Sequence, residues 1–341
     1  MLVRIGLLTD GGYPYATGES RLWCDRLVRG LAPHEFDLYA LSRSAGQESR
    51  GWIELPPRVR QVRTAPLWGP AEDGRGYGRR DRRRFAAHFT ELTASVRTAR
   101  GDDATASDRF GAGLYGLGPV RRNFAGPRRS TGQDLADLAR ERGGLPTALR
   151  SEAAVRLLEA ACRTPGARRS VHTASVADLL ALADQLERAL RPLSLDWYGD
   201  DGLAGADLCH AASGGPAALP GLLAKRFFGV PLLVTEYGVR LRAHYLAGGG
   251  APRADAPGDA PGGVNNAPVR ALFAAFQGRP AAEVYRQAGV ITSGNGWTGG
   301  LSGLPRRTPS WASPAARAER AERVECAGPV GAYAGAGERD V

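Results

Sequence analysis

A glycine-punctuated loop near the start of the chain is the first segment whose residue types could bind a ligand. The stretch TDGGYPYATGES places Gly11, Gly12 and Gly18 between an apolar run and an amphipathic segment. Glycines at such a strand-to-helix junction let a ligand approach the backbone, and a helix N-terminus attracts phosphate or another anion. Tyr13 and Tyr15 could line the site or stiffen the loop. We expect an anion-binding loop here, with a plain strand-to-helix turn as the alternative.

Two further candidate positions stand at the ends of predicted strands. His210 closes the strand DLCH, while Glu236 and Tyr237 follow the apolar run VPLLVT. Ligands of open α/β sheets gather at the carboxyl ends of the strands, so these side chains are expected to face the first loop. His210 could equally be a hydrogen-bonded core histidine. Glu236 is costly to bury unpaired, so it either reaches the cleft or pairs with Arg240 or Arg242.

The spacing of the loop glycines excludes the two best-known phosphate cradles. It does not fit G-x-G-x-x-G, and no Gly-Lys-Ser/Thr ending follows Gly12, so neither the dinucleotide fingerprint nor the P-loop is indicated. The four cysteines lie far apart and form no C-x-x-C pair, which argues against a zinc knuckle and a disulfide framework. The histidines other than His210 show no ligand spacing. We therefore expect no metal site.

The elements that must position these residues alternate as in a parallel α/β sheet. The run LVRIGLL at residues 2–8 has no polar face, which is typical of a central strand covered by helices on both sides. Ser20 can cap a helix in which Trp23, Leu27 and Leu31 recur every four residues. Further strands are predicted at residues 35–42, 206–213, 230–238 and 289–293, and further helices at residues 217–229 and 269–288. The predicted fold class is α/β, a Rossmann-like parallel sheet with helices on both faces.

Two regions differ from this alternation. Residues 64–200 are predicted to form a largely helical insertion, with helices at residues 79–100, 133–141, 152–162 and 176–190. Residues 296–341 have no period of two and few large aliphatic residues, which is typical of a disordered or irregular tail. The sequence therefore divides into a Rossmann-like domain of residues 1–63 plus 201–295, the helical insertion of residues 64–200, and the tail of residues 296–341.

The net charge of +10 does not require a nucleic-acid partner. Lys225 is the only lysine, and the excess of arginine together with alanine, glycine and proline is what a GC-rich genome would impose on a neutral surface. The densest run, RRDRRR at residues 79–84, most simply forms the solvated start of a helix. No apolar run approaches the roughly 18 residues of a membrane span, and the N-terminus lacks a secretory pattern. We expect a cytoplasmic protein with no membrane span and no bound nucleic acid.

Three segments together resemble the N-terminal half of PelF-like family 4 glycosyltransferases. They are LLTDGGYPYATGESRLWCDRLVRGL, DLCHAASGGPAALPGLLAKRFFGVPLLVTEYGVRLRAHYL and VYRQAGVITSGN, and the resemblance covers nearly all of residues 1–295. It implies a GT-B architecture, in which two Rossmann-like domains face each other and the C-terminal one supplies most contacts to a nucleotide-sugar donor. It also implies retaining glycosyl transfer in polysaccharide or glycan synthesis, with no metal or other cofactor. A UDP-sugar is the expected donor and a glycan the expected acceptor.

The motifs depart from the family at three positions. The family's first loop usually reads T-E-G-x-Y-P-Y-x-x-G-G-V-S, whereas Asp10 stands here for the glutamate and Glu19 follows the last loop glycine. Tyr237 takes the place of the histidine in the family's T-E-H-G, and tyrosine titrates near pH 10, so a role that needs an imidazole is not carried over. The candidate catalytic residues are His210, Glu236 and Tyr237. The resemblance assigns donor- or acceptor-binding roles to Gly11, Gly12, Tyr13, Tyr15, Gly18, His210 and Glu236.

The segment after residue 295 is where the resemblance stops. None of the paired glutamates or basic residues of the family's donor-binding domain follows there, so we expect a truncation or frameshift at about residue 295 and a chain that is inactive alone. A separately encoded C-terminal half is then one candidate partner. The alternative is a noncatalytic glycan-binding or partner module derived from such an enzyme.

Overall fold

The computed structural model describes residues 2–15, 20–31, 33–68, 76–97, 103–115, 144–165, 167, 171–236 and 267–293. These residues all belong to one unit, Met1–Gly300, and a second unit, Leu301–Val341, lies outside the described ranges. Two candidate site residues, Gly18 and Tyr237, also lie outside them, as do the helix predicted at residues 133–141 and the tail predicted at residues 296–341.

One sheet of six parallel strands organises the described residues, in the strand order β3-β2-β1-β4-β5-β6. The strands are β1 (Arg4–Asp10), β2 (Glu35–Ser44), β3 (Val59–Trp68), β4 (Leu208–Ala211), β5 (Leu232–Glu236) and β6 (Val290–Ser293). The strand order reverses between β1 and β4, the position at which ligands bind in doubly wound folds. The predicted α/β class with a Rossmann-like parallel sheet is confirmed.

The central strands are apolar because both of their faces are covered. Side chains alternate along a strand, so Leu7 and Leu8 of β1 point to opposite faces of the sheet. Leu7 joins a cluster that includes Cys24 and Val28 of helix α1 (Arg21–Gly30). Leu8 joins Tyr39 of β2 in the larger cluster on the other face. The absence of a polar face in the sequence of β1 therefore has a direct structural cause.

Helices connect the strands, and those between β3 and β4 extend the hydrophobic core on one face of the sheet. They are α2 (Ala45–Glu48), α3 (Arg79–Arg97), α4 (Asp103–Tyr115), α5 (Leu145–Leu149), α6 (Glu152–Arg163), α7 (Val176–Leu190), α8 (Ala218–Phe228) and α9 (Ala267–Gln287), with 3₁₀ turns at Arg191–Ser194 and Leu203–Gly205. Helices α3 to α7 lie between β3 and β4 in the chain, and β3 crosses residue 64, where the predicted insertion begins. Within the described ranges no helix is both long and apolar enough to cross a lipid bilayer.

The contact between α3 and α4 depends on a glycine. A Cβ atom at Gly113 would lie 2.6 Å from the backbone nitrogen of Leu92 and 2.8 Å from the carbonyl oxygen of His88. Real side chains do not approach a backbone so closely, so only glycine fits at this position. Gly278 in α9 is different, because nothing lies within 4 Å of the corresponding Cβ position.

A buried ion cluster joins α7 to β3. The Glu187 side chain is fully buried, and its carboxylate accepts a hydrogen bond of 2.7 Å from Arg191 Nε and one of 3.1 Å from Arg150. Arg191 also donates a hydrogen bond of 3.0 Å to the carbonyl of Pro66 in β3. A buried carboxylate is tolerated only when it is paired and hydrogen-bonded in this way.

Candidate functional site

The strand register brings the predicted site segments to the same edge of the sheet. Leu7 of β1 pairs with His210 of β4, which in turn pairs with Leu233 of β5. Because the strands are parallel, the loop after β1 and the residues that end β4 and β5 lie at the carboxyl edge. Gly11, Gly12, His210 and Glu236 therefore lie along the same edge of the sheet, and the strand order reverses between β1, which precedes the glycines, and β4, which carries His210. We call this region the carboxyl-edge site.

The first loop is held by hydrogen bonds to β2 and to α2, which follows it. Gly11 has a φ of +67°, its N–H donates to the carbonyl of Leu41 at 2.8 Å, and its carbonyl accepts from Gln47 Nε2 at 3.0 Å. A Cβ atom at Gly12 would lie 2.4 Å from Ser20 Oγ, because the loop passes close to the start of α1. The hydroxyl of Ser20 does not cap α1, contrary to the prediction. A positive φ and a close approach thus explain the two glycines.

Both loop tyrosines are core residues. Tyr13 is fully buried and packs in the cluster that contains Cys24 and Val28, while Tyr15 is 1% exposed. Burial raises the pKa of Tyr13 above its usual value and raises the pKa of Tyr15 to about 12, so both phenols are neutral at pH 7. Thr9 Oγ1 also donates to the carbonyl oxygen of Tyr13 at 2.5 Å. Packing accounts for these two side chains, which corresponds to the loop-stiffening alternative.

A chain of three polar side chains crosses β4, β5 and β6. His210 Nε2 lies 2.8 Å from Thr235 Oγ1, which lies 2.7 Å from Thr292 Oγ1, and Thr292 is exposed. The ring of Trp23 in α1 meets the imidazole edge-on, with 5.6 Å between the ring centroids. Burial lowers the pKa of His210 to about 4, because the surrounding protein disfavours the charged form. The imidazole is therefore neutral at pH 7.

Glu236 is anchored by two hydrogen bonds. Its Oε1 accepts a bond of 2.6 Å from the hydroxyl of Tyr285 in α9 and another from the backbone N–H of Gly214, which follows β4. A Cβ atom at Gly214 would lie 2.8 Å from that same oxygen. Burial, followed by the charge of Glu236, raises the pKa of Tyr285. The carboxylate thus joins the loop after β4 to α9; both Arg240 and Arg242 lie outside the described residues.

Arg43 is a candidate site residue that the sequence interpretation did not name. It is exposed and lies at the end of β2, and its Nε would be 3.3 Å from a Cβ atom on Gly11. A guanidinium beside a loop of backbone amides is a suitable partner for phosphate. The signal in the sequence was only the position of Arg43 at the end of the strand EFDLYALSR. The part of the chain that the structure describes contains no group of three acidic, histidine or cysteine side chains that could hold a metal ion.

A comparison with protein families adds one match. The family model described as "Domain of unknown function (DUF3492)" matches residues 3–296. The chain belongs to the DUF3492 family. No curated protein and no solved structure matches it. The match spans the whole sheet, so the carboxyl-edge site belongs to the DUF3492 domain.

The chemistry available at this edge of the DUF3492 domain is that of binding and positioning. The glycine loop and Arg43 can hold an anion. The imidazole of His210 is neutral, with one nitrogen already hydrogen-bonded to Thr235, and the Glu236 carboxylate holds two backbone segments together. These contacts fix the shape of the edge before any ligand arrives.

Proposed function

We propose that this DUF3492 domain is the acceptor-side domain of a retaining, nucleotide-sugar-dependent glycosyltransferase of GT-B architecture. The observation that carries the proposal is the Gly11–Gly12 loop with the exposed guanidinium of Arg43 beside it, at the reversal of the strand order. A sugar nucleotide brings a diphosphate to such an edge. The resemblance of the three sequence segments to PelF-like glycosyltransferases supports the assignment of the chemistry.

The acceptor and donor are assigned to opposite walls of the cleft. In this architecture the facing domain supplies most donor contacts, and this domain contributes the acceptor surface and a few contacts to the diphosphate. The candidate catalytic residues are His210, Glu236 and Tyr237. We propose no cofactor, because such enzymes transfer sugar without a metal. The donor is proposed to be a UDP-sugar and the acceptor a glycan.

A thermal-shift assay of the purified chain against UDP-, GDP- and ADP-sugars tests the proposal. A ligand at a hundred times its Kd stabilises the folded state by about 2.7 kcal/mol, so at least one donor should raise the Tm measurably. Arg43→Gln should weaken that donor by about tenfold, because it removes a charge-assisted hydrogen bond to phosphate. Arg156→Gln is the control, since Arg156 is exposed on α6, in the helical region. EDTA should leave the shift unchanged.

The occupied hydrogen-bond positions of His210 and Glu236 favour one alternative, a noncatalytic glycan-binding module derived from such an enzyme. Stabilisation by oligosaccharides with none by any nucleotide sugar would support that module, because the transferase proposal requires the Gly11–Gly12 loop and Arg43 to bind the diphosphate of a donor. No response to either class of ligand would contradict both.

A further inference from the structure

Trp52 is exposed to solvent at the carboxyl edge of the sheet. Its side chain is 51% exposed, and the next most exposed of the large aromatic side chains in the described ranges is Phe228, at 37%. Exposed Arg50 and Glu54 flank it in the sequence. A tryptophan in such a position leaves a large flat apolar face in contact with water.

The backbone on both sides of Trp52 is fixed. Trp52 forms an isolated antiparallel bridge with Tyr15, and the N–H of Ile53 donates to the carbonyl of Pro14 at 3.0 Å. Gly51 precedes it with a φ of +71°, and its N–H donates to the backbone carbonyl of Glu48 at 2.9 Å. The segment is therefore pinned to the glycine loop at one end and to α2 at the other. A binding surface that is already ordered has less conformational entropy to lose when a ligand arrives.

These contacts place Trp52 beside the site and not at a remote surface. Tyr15 and Pro14 belong to the loop that contains Gly11 and Gly12, and Ile53 packs against the cluster under α1. The indole thus extends the carboxyl-edge site on the side of β2, where Arg43 also lies. Its partner must be able to use a flat apolar face.

We propose that Trp52 is a stacking platform for a pyranose ring of the glycan acceptor. A pyranose whose ring hydroxyls are all equatorial has flat faces of axial C–H groups and a rim of hydroxyls. One such face matches the exposed indole of Trp52. A protein partner would instead need a wider apolar area around the tryptophan, as in a binding hot spot. The inference rests on the proposed function, because it names the acceptor surface of that same site.

Isothermal titration with cellohexaose and chitohexaose, in the absence of donor, tests the platform on the full chain. Wild type should bind at least one of the two, and Trp52→Ala should weaken that binding by about tenfold or more, the scale of a tryptophan hot spot. Trp52→Phe keeps a ring and should stay within about threefold of wild type. Leu180→Ala is the matched control, since Leu180 is 52% exposed on α7.

The outcomes separate this inference from the proposed function. Unchanged affinity in Trp52→Ala, or no binding of either hexasaccharide by wild type, overturns the platform. The donor thermal shift is independent of Trp52, so a wild-type donor response together with either of those results rejects the platform and keeps the transferase. Unchanged Tm values in all three variants show that they are folded, because none of these exposed side chains is part of the core.

Discussion

Lowering the pH should destabilise this fold through His210. Burial lowers the pKa of this imidazole from 6.5 to about 4, and one pKa unit corresponds to about 1.4 kcal/mol. The unfolded chain takes up a proton near pH 6.5, whereas the folded chain resists until about pH 4. The contribution of the neutral imidazole is therefore fully present above pH 6.5 and is lost as the pH falls towards 4, by about 3 kcal/mol in total. Between pH 7.5 and pH 5 the loss is about 2 kcal/mol.

Urea denaturation of wild type, His210→Gln and Thr235→Val at pH 7.5, 6 and 5 measures this loss. Glutamine keeps a polar group near Thr235 but does not titrate, so the free-energy difference between wild type and His210→Gln should shrink by about 2 kcal/mol over this range. Thr235→Val keeps the imidazole and should keep the slope, while losing about 1–3 kcal/mol at every pH because the ring nitrogen is left unpaired. Parallel pH profiles for wild type and His210→Gln would refute the reasoning.

Two other pairs of variants test the packing. Gly113→Ala should destabilise the fold by about 3 kcal/mol in urea denaturation, because its Cβ would lie 2.6 Å from the Leu92 nitrogen. Gly278→Ala should instead stabilise the fold by about 0.5–1 kcal/mol. Equal effects of the two substitutions would mean that α3 and α4 are farther apart than described. Glu187→Gln should cost about 3 kcal/mol, because two arginines lose their buried partner, and Glu152→Gln, which breaks an exposed pair, should cost less than about 0.5 kcal/mol. Similar losses in the two glutamate variants would show that the Glu187 cluster is solvated.

The sequence predicted those elements whose pattern reflects burial on both faces. Strands β1, β4, β5 and β6 are short, mainly apolar runs, and β2 contains the apolar run from Leu38 to Leu41. Each of the five lies where it was expected within a few residues. Strand β3 was missed because it is an edge strand in which the polar residues from Arg60 to Thr64 follow no period of two and Pro66 interrupts the run. Helix α4 was missed because its glycines and alanines indicate no amphipathic face. Its packing depends on the close approach at Gly113, a property of the tertiary structure.

For the candidate site, the sequence predicted where the side chains lie in the sheet, but not which residues form hydrogen bonds with them. The strand ends carrying His210 and Glu236 could be located because parallel strands present their carboxyl ends together. Their partners, Thr235 and Tyr285, depend on the register between β4 and β5 and on the placement of α9, and neither can be read from a local pattern. The same holds for Arg43, which lies beside Gly11 only because β1 and β2 are neighbours.

The two edges of the sheet differ in whether their side chains have partners within the protein or are exposed to solvent. This difference argues for the carboxyl edge as the functional one. At the amino edge, Arg4 pairs with the fully buried Asp37 and donates to the carbonyl of Asp201 at 2.8 Å, while its backbone N–H donates to Asp207 at 2.8 Å. Those contacts neutralise the charges and join β1 to the start of β4. At the carboxyl edge the guanidinium of Arg43 and the ring of Trp52 are exposed on a backbone that hydrogen bonds already fix. Internal partners explain Arg4 and Asp37 at the first edge, whereas a ligand is the partner that we propose for the exposed Arg43 and Trp52 at the second.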